Sequence, residues 1–225
     1  MYKAVLIDVD NTLLHFDKCA DKSMRLAFEE FSLPAPKNLL EVFTKINDEL
    51  WIQIEKGTLT KPELHKIRFV KILEALNIDF DGLVLEEKFR YNLKFVAEKV
   101  DGAEDLLKYL KQKYFIGFAT NGHPEQQINR LKISGLDKYA DAHFISGEIG
   151  YEKPSKEFFE YALSKLPTKN KDEIIVIGDS LTADIKGGID FNIKTCWFNL
   201  KNQPNNSSLK PNFTVNKLSQ IKNLL

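Results

Sequence analysis

The chain predicts an α/β fold, a parallel sheet with helices on both faces and a helical excursion close to its N-terminal end. Three observations carry this. The run Ala4-Val5-Leu6-Ile7 is apolar, rich in strand formers and too short for a buried helix, so it reads as a central strand buried on both faces. From Leu14 to about Lys99 the pattern is helical, with no recurrent strand signal. From Val100 strands and helices alternate to the end of the chain, the order that builds parallel sheets.

Taken in order, the first strand is followed by helix candidates at Lys18 to Phe31, stopped before Pro34, at Lys37 to Glu55, ended by Gly57, at Lys61 to Leu76, and at Leu83 to Lys99. Thr60-Lys61-Pro62-Glu63 has the form of a capping box, with proline tolerated in the first turn. Phe69, Ile72, Leu73 and Leu76 fall at three- and four-residue spacing and form one apolar stripe. Beyond Asp101-Gly102 come a helix from Ala103 to Gln112, a strand from Tyr114 to Thr120 and a helix from Pro124 to about Ser134. A short strand at His143 to Ser146 and a Gly147-Glu148-Ile149-Gly150 turn lead to Lys153. The helix Lys156 to Lys165, the strand Glu173 to Ile177, a helix opening at Thr182 to Gly188 and the strand Lys194 to Phe198 follow. Phe213-Thr214-Val215 and a helix ending at Leu225 close the chain. The expected division is a core of residues 1–16 and 100–225 and a helical insertion of residues 17–99.

A chain of 225 residues suits one sizeable α/β core plus one smaller insertion. With 32 basic and 32 acidic side chains there is no net field to attract a nucleic acid polymer or an anionic membrane, so any phosphate-binding power has to be local. The two cysteines, Cys19 and Cys196, form no disulfide framework and fit a reducing compartment, and Cys196 lies in an apolar run as a small core residue. The apolar N-terminal run, broken at Asp8, is far shorter than a signal or membrane-spanning segment. A cytoplasmic protein, monomer or homodimer, with a small-molecule partner is the expectation.

The chemistry concentrates at the end of the first strand. On extended backbone Asp8 and Asp10 leave the chain on the same side, about two residue rises of roughly 3.3 Å apart. Like charges that close repel unless a cation or a proton lies between them. Thr120 and Asp179 also fall at the carboxyl ends of expected strands, where open α/β sheets place their ligands.

Asp8-Val9-Asp10-Asn11-Thr12 resembles the D-x-D-x-T motif of the haloacid dehalogenase-like hydrolases. Phe118-Ala119-Thr120-Asn121-Gly122, Glu152-Lys153-Pro154 and Gly178-Asp179-Ser180-Leu181-Thr182-Ala183-Asp184 resemble that superfamily's remaining three motifs, in the right chain order. The resemblance implies a Rossmann-like core with a type-1 helical cap covering the active site. It implies phosphatase chemistry, with Asp8 as nucleophile and Asp10 as general acid and base. Thr120, Asn121 and Lys153 would bind the substrate, Thr120 and Lys153 by holding the phosphoryl oxygens. Mg²⁺ would be held by Asp8, the backbone carbonyl of Asp10, Asp179 and Asp184, the last directly or through water. Asp10 argues against carbon–halogen chemistry, which has no use for a general acid there. The stretch from Gly178 through Thr195-Cys196-Trp197-Phe198-Asn199 looks most like the pyrimidine 5′-nucleotidase branch, with the N-acylneuraminate 9-phosphatase branch a near rival. A non-catalytic phospho-acceptor or binding module is the alternative of another class, disfavoured by the chain length and the complete set of motif residues. The aromatics of the insertion, Phe43, Trp51, Phe69, Phe89, Tyr91 and Phe95, read mainly as its own core.

Overall fold

The computed structural model describes residues 1–225. Strand β1 (Ala4–Ile7) is followed by four helices, α1 (Phe16–Glu30), α2 (Leu39–Glu55), α3 (Lys61–Leu76) and α4 (Gly82–Leu93). Then come α5 (Ala103–Lys111), β2 (Phe115–Thr120), α6 (Pro124–Ser134), β3 (Ala142–Ile145), α7 (Ser146–Ile149) and α8 (Lys156–Lys165). The chain ends with β4 (Ile174–Gly178), α9 (Lys186–Asp190), β5 (Lys194–Phe198), β6 (Phe213–Val215) and α10 (Leu218–Ile221). Two compact units result, one of Met1–His15 with Glu98–Leu225 and one of Phe16–Ala97.

In the first unit six strands form one sheet in the order β3-β2-β1-β4-β5-β6, and every neighbouring pair is parallel. Ala4 lies opposite Phe115 on one side and Ile174 on the other, so β1 is the middle of the sheet. Its side chains alternate between two cores, as period-2 geometry requires. Val5 and Ile7 join Leu106, Leu107 and Leu110 of α5, Leu131 of α6, and Leu218 and Ile221 of α10. Ala4 and Leu6 join Phe158, Phe159 and Ala162 of α8 and Phe191 at the end of α9. Helices therefore cover both faces, and strand order reverses at β1, the crevice where such sheets bind ligands. Cys196 is wholly buried in the first of these cores, and burial pushes its thiol up to about 12.

The second unit is a four-helix assembly around Phe28, Phe43, Phe69 and Phe89, all buried. The rings of Phe43, Phe69 and Phe89 stand 5.2–6.1 Å apart in tilted pairs, a favoured aromatic geometry. The capping box of α3 is present, with Glu63 accepting from the Thr60 amide at 2.8 Å and Thr60 accepting from the Glu63 amide at 3.4 Å. Helix α3 stops at Asn77, whose φ of 53° is the left-handed conformation that ends helices.

Most boundaries shift by a residue or two, and three differences from the sequence expectation are informative. Helix α4 ends at Leu93 and not at Lys99, because Lys99 is drawn into an antiparallel bridge with Leu14 and the Val100 amide bonds Leu13 at 2.9 Å, both of which need extended backbone. Ser146 to Ile149 forms a single helical turn closed by Gly150 at φ 85°. The final helix stops at Ile221, four residues before the end of the chain. No helix is long and apolar enough to cross a membrane.

Candidate active site

Four segments converge at the carboxyl end of the sheet. Asp8 follows β1 directly and its amide continues the ladder, donating to the Ile177 carbonyl at 2.9 Å. The chain then folds back: the Asn11 amide bonds the Leu14 carbonyl at 2.7 Å, and Asn11 takes φ 57°, a left-handed conformation that asparagine tolerates better than most residues. Asp179 follows β4, and its backbone carbonyl accepts from the Trp197 indole at 2.9 Å.

The next turn, Leu181–Ile185, is π-helical, with the amides of Asp184 and Ile185 both bonded to the Ser180 carbonyl at 3.1 Å. Such widened turns recur at functional sites. This one turns Asp184 back toward the strand end. A Cβ on Gly178 would stand 2.1 Å from Asp184 Oδ2, so only glycine leaves room for that carboxylate.

Lys153 is the centre of the site. Its ammonium donates to Asp8 Oδ1 at 2.7 Å, to Asp184 Oδ1 at 2.6 Å and to the Ala119 carbonyl at 2.7 Å. An ammonium has three hydrogens, and all are committed. Asn121 fixes this lysine from behind, its carboxamide exchanging two 2.8 Å bonds with the Lys153 backbone N–H and C=O. In this geometry the Asn121 side chain serves the main chain of Lys153.

Oxygens of Asp8, Asp179 and Asp184 lie within 4.8 Å of one another. Three carboxylates face one lysine, and the electrostatics register the imbalance. Burial, opposed by Lys153 and reinforced by Asp184, pushes the Asp8 carboxyl up to about 7. Asp179 keeps some accessible surface, but burial first, and then Asp8 and Asp184, raise it well above the ordinary aspartate value. Burial opposes the charged form of Lys153, but Asp184 and Asp8 outweigh it and hold the ammonium above its usual range. An all-oxygen donor set with excess negative charge suits a hard divalent cation such as Mg²⁺.

Asp10 stands apart from that trio. Arg130 Nη1 donates to its Oδ1 at 2.6 Å and Gln127 Nε2 to its Oδ2 at 2.7 Å. Sequence reasoning missed both α6 residues. The available signal was their spacing of three, which places two polar side chains on one helix face that the sheet buries; both are fully buried. Gln127 Nε2 also donates to Thr120 Oγ1 at 2.6 Å, and the Gly122 amide does so at 3.0 Å. With both lone pairs of Thr120 Oγ1 accepting, its own proton is left to point at something else. Gly122 is likewise closely approached, since a Cβ there would lie 2.5 Å from the Gln127 carboxamide.

The family model described as "haloacid dehalogenase-like hydrolase" matches residues 2–192. The HAD-hydrolase YfnB of Bacillus subtilis (strain 168) is 35% identical over 224 residues, 100% of this chain and 95% of that protein. Its crystal structure, solved bound to magnesium, superposes with a TM-score of 0.94 over 100% of this chain and 98% of the other. The pyrimidine 5′-nucleotidase PynA of Streptococcus pneumoniae (strain ATCC BAA-255 / R6) is 32% identical over 95% of this chain and 91% of its own length. The pyrimidine 5′-nucleotidase YjjG of Escherichia coli (strain K12) is 30% identical over 98% of this chain and 96% of its own. With a match spanning most of its length and relatives similar end to end, the chain belongs to the haloacid dehalogenase-like hydrolases.

Proposed function

We propose that this protein is a Mg²⁺-dependent phosphomonoester hydrolase acting through an aspartyl-phosphate, with pyrimidine nucleoside 5′-monophosphates as its substrates. The observation that carries the reaction class is the placing of Asp8, locked by Lys153 beside Asp179 and Asp184, two residues before a separately held Asp10. The substrate class rests on the two nucleotidases similar over nearly the whole chain.

In this reading an Asp8 oxygen attacks phosphorus while the bond from phosphorus to the ester oxygen breaks, and Asp10 delivers a proton to the departing alkoxide. A water then attacks the aspartyl-phosphate, Asp10 takes a proton from it, and inorganic phosphate leaves with Asp8 regenerated. Lys153 holds one Asp8 oxygen, fixing the orientation of the carboxylate, and contributes its charge to the phosphoryl group through space. The outward proton of Thr120 donates to a phosphoryl oxygen. Mg²⁺, held by Asp8, Asp179 and Asp184 with the Asp10 carbonyl, would supply neutralisation of the phosphoryl charge.

The test is phosphate release with Mg²⁺ from UMP and dTMP, compared with purine nucleotides, sugar phosphates and N-acylneuraminate 9-phosphate, for the native protein and Asp8→Asn. Release that vanishes with chelator and in Asp8→Asn supports the reaction class. Release from none of these esters overturns it, and a preference for the sialate ester overturns the nucleotidase assignment alone.

A further inference from the structure

Gln127 and Arg130 do not touch the Asp8, Asp179 and Asp184 trio, yet they grip the group that has to exchange protons. Arg130 Nη1 reaches both Asp10 Oδ1 at 2.6 Å and Gln127 Oε1 at 3.0 Å, and Gln127 Nε2 reaches Asp10 Oδ2 at 2.7 Å. Both carboxylate oxygens of Asp10 are therefore bonded, and the two donors are bonded to each other. The orientation of the Gln127 amide is dictated by these partners: turned over, it would present its oxygen to the carboxylate and its NH₂ to a guanidinium, and both contacts would fail. Arg130 is fully buried, while its partner Asp10 keeps 26% of its side-chain surface. A buried guanidinium is costly to desolvate and is retained where a carboxylate answers it. One end of the pair is enclosed, and the other keeps accessible surface.

We propose that Gln127 and Arg130 are positioning residues for Asp10, setting the carboxyl where it meets the ester oxygen of the leaving group. This rests on the hydrolase reading above and deepens it. Their effect is then specific to substrates whose leaving group needs a proton. An alkoxide from a nucleotide or sugar leaves poorly without one, whereas p-nitrophenolate leaves readily as the anion. The specificity constant reports steps up to release of the leaving group, so later hydrolysis of the phosphorylated Asp8 does not blur the comparison.

The experiment measures kcat/KM for UMP, or whichever alkyl phosphate the native protein cleaves best, against p-nitrophenyl phosphate in native protein, Gln127→Met, Arg130→Met, Arg130→Lys, Asp10→Asn and the double variant Gln127→Met/Asp10→Asn. Gln127→Met is expected to lower the alkyl-to-aryl ratio of kcat/KM by about 10- to 100-fold, the range a misplaced proton donor costs. Arg130→Lys recovers part of what Arg130→Met loses. In the double variant Gln127→Met adds nothing to the ratio already lost with Asp10→Asn, because the two changes act on one step. Equal losses on the two esters, or additive losses of the ratio in the double variant, overturn the proposal and leave Gln127 a packing residue. Should Arg130→Met not fold, as a buried polar network allows, Gln127→Met and Arg130→Lys still decide. Native protein inactive on every ester refutes the hydrolase reading itself, a result distinct from any of these.

Discussion

The molecule buries two ionic clusters, and they are built on opposite principles. In the helical unit Arg68 meets Glu86 through two parallel bonds of 3.0 and 2.6 Å and Asn47 through one of 2.8 Å, with the rings of Phe43, Phe69 and Phe89 4.9–6.0 Å from its guanidinium carbon. One positive charge answers one negative charge, and the aromatic faces complete the coordination of the cation. In the α/β unit one lysine answers three carboxylates, and burial, reinforced by the neighbouring carboxylates, displaces Asp8 and Asp179 upward. The balanced cluster is complete as folded. The unbalanced cluster holds more carboxylates than cations, the imbalance that the proposed Mg²⁺ would neutralise.

That contrast predicts different responses to similar mutations. Lys153→Met removes the only cation from the acidic cluster, and is expected to lower unfolding free energy by about 3–5 kcal/mol and turnover by about 10²–10³-fold. Chemical denaturation with and without Mg²⁺ measures the first, and an unchanged midpoint would refute the charge imbalance. Glu86→Gln leaves Arg68 buried with its charge unanswered and should cost about 3 kcal/mol, whereas Arg68→Met with Glu86→Leu should come out near neutral. A double variant as unstable as the single one would mean that the pair holds the helices together by more than its charges.

The acidic cluster should also make the metal-free protein pH-sensitive in an unusual direction. The Asp8 carboxyl is raised from 3.8 to about 7, so between those values the folded chain holds a proton that the unfolded chain has released. Stability therefore falls as pH rises through that window, with a slope of up to about 1.4 kcal/mol per pH unit. Asp179 acts in the same direction, and Lys153, raised, keeps its proton throughout. Thermal melts from pH 4 to pH 8 that rise with pH in chelator would contradict this. The smallest effect is the most diagnostic: Asp179→Asn should stabilise the metal-free protein at neutral pH by about 1 kcal/mol and abolish any rise in melting temperature on adding Mg²⁺. Glu86→Gln and Asp179→Asn are the same chemical change, and their stability effects are expected to have opposite signs.

Much of the site was legible before the fold was known, because its residues sit where apolar strands end. Asp8 after Ala4–Ile7, Thr120 after Phe115–Ala119 and Asp179 after Ile174–Gly178 each interrupt a run too short to be anything but a buried strand. Gln127 and Arg130 offered no such interruption. They sit in a helix whose other polar residues keep at least part of their surface, and Gln126 and Asn129 share the same spacing of three, so that spacing does not separate a buried glutamine from a more exposed one. Arg68, Glu86 and Asn47 were hidden for the same reason, since each belongs to a different helix and all three look like ordinary surface residues in their own. The end of α4 was misplaced because the residues after Leu93 have acceptable helix propensity, and only the pairing of Lys99 with Leu14, distant in sequence, draws them out of the helix.

The amino-acid sequence alone determined the alternation of strands and helices, the acidic residues at the strand ends and the family, because these depend on local periodicity and on motifs read within a few residues. Tertiary structure alone decided that all three hydrogens of Lys153 are committed, that Asp10 is held by Arg130 and Gln127 apart from Asp8, Asp179 and Asp184, and that one buried cluster pairs cation with carboxylate one to one and the other does not. Hydrogen-bond partners and net charge in a buried volume are properties of what converges there, and convergence over separations from 18 to 145 residues of chain leaves no local mark.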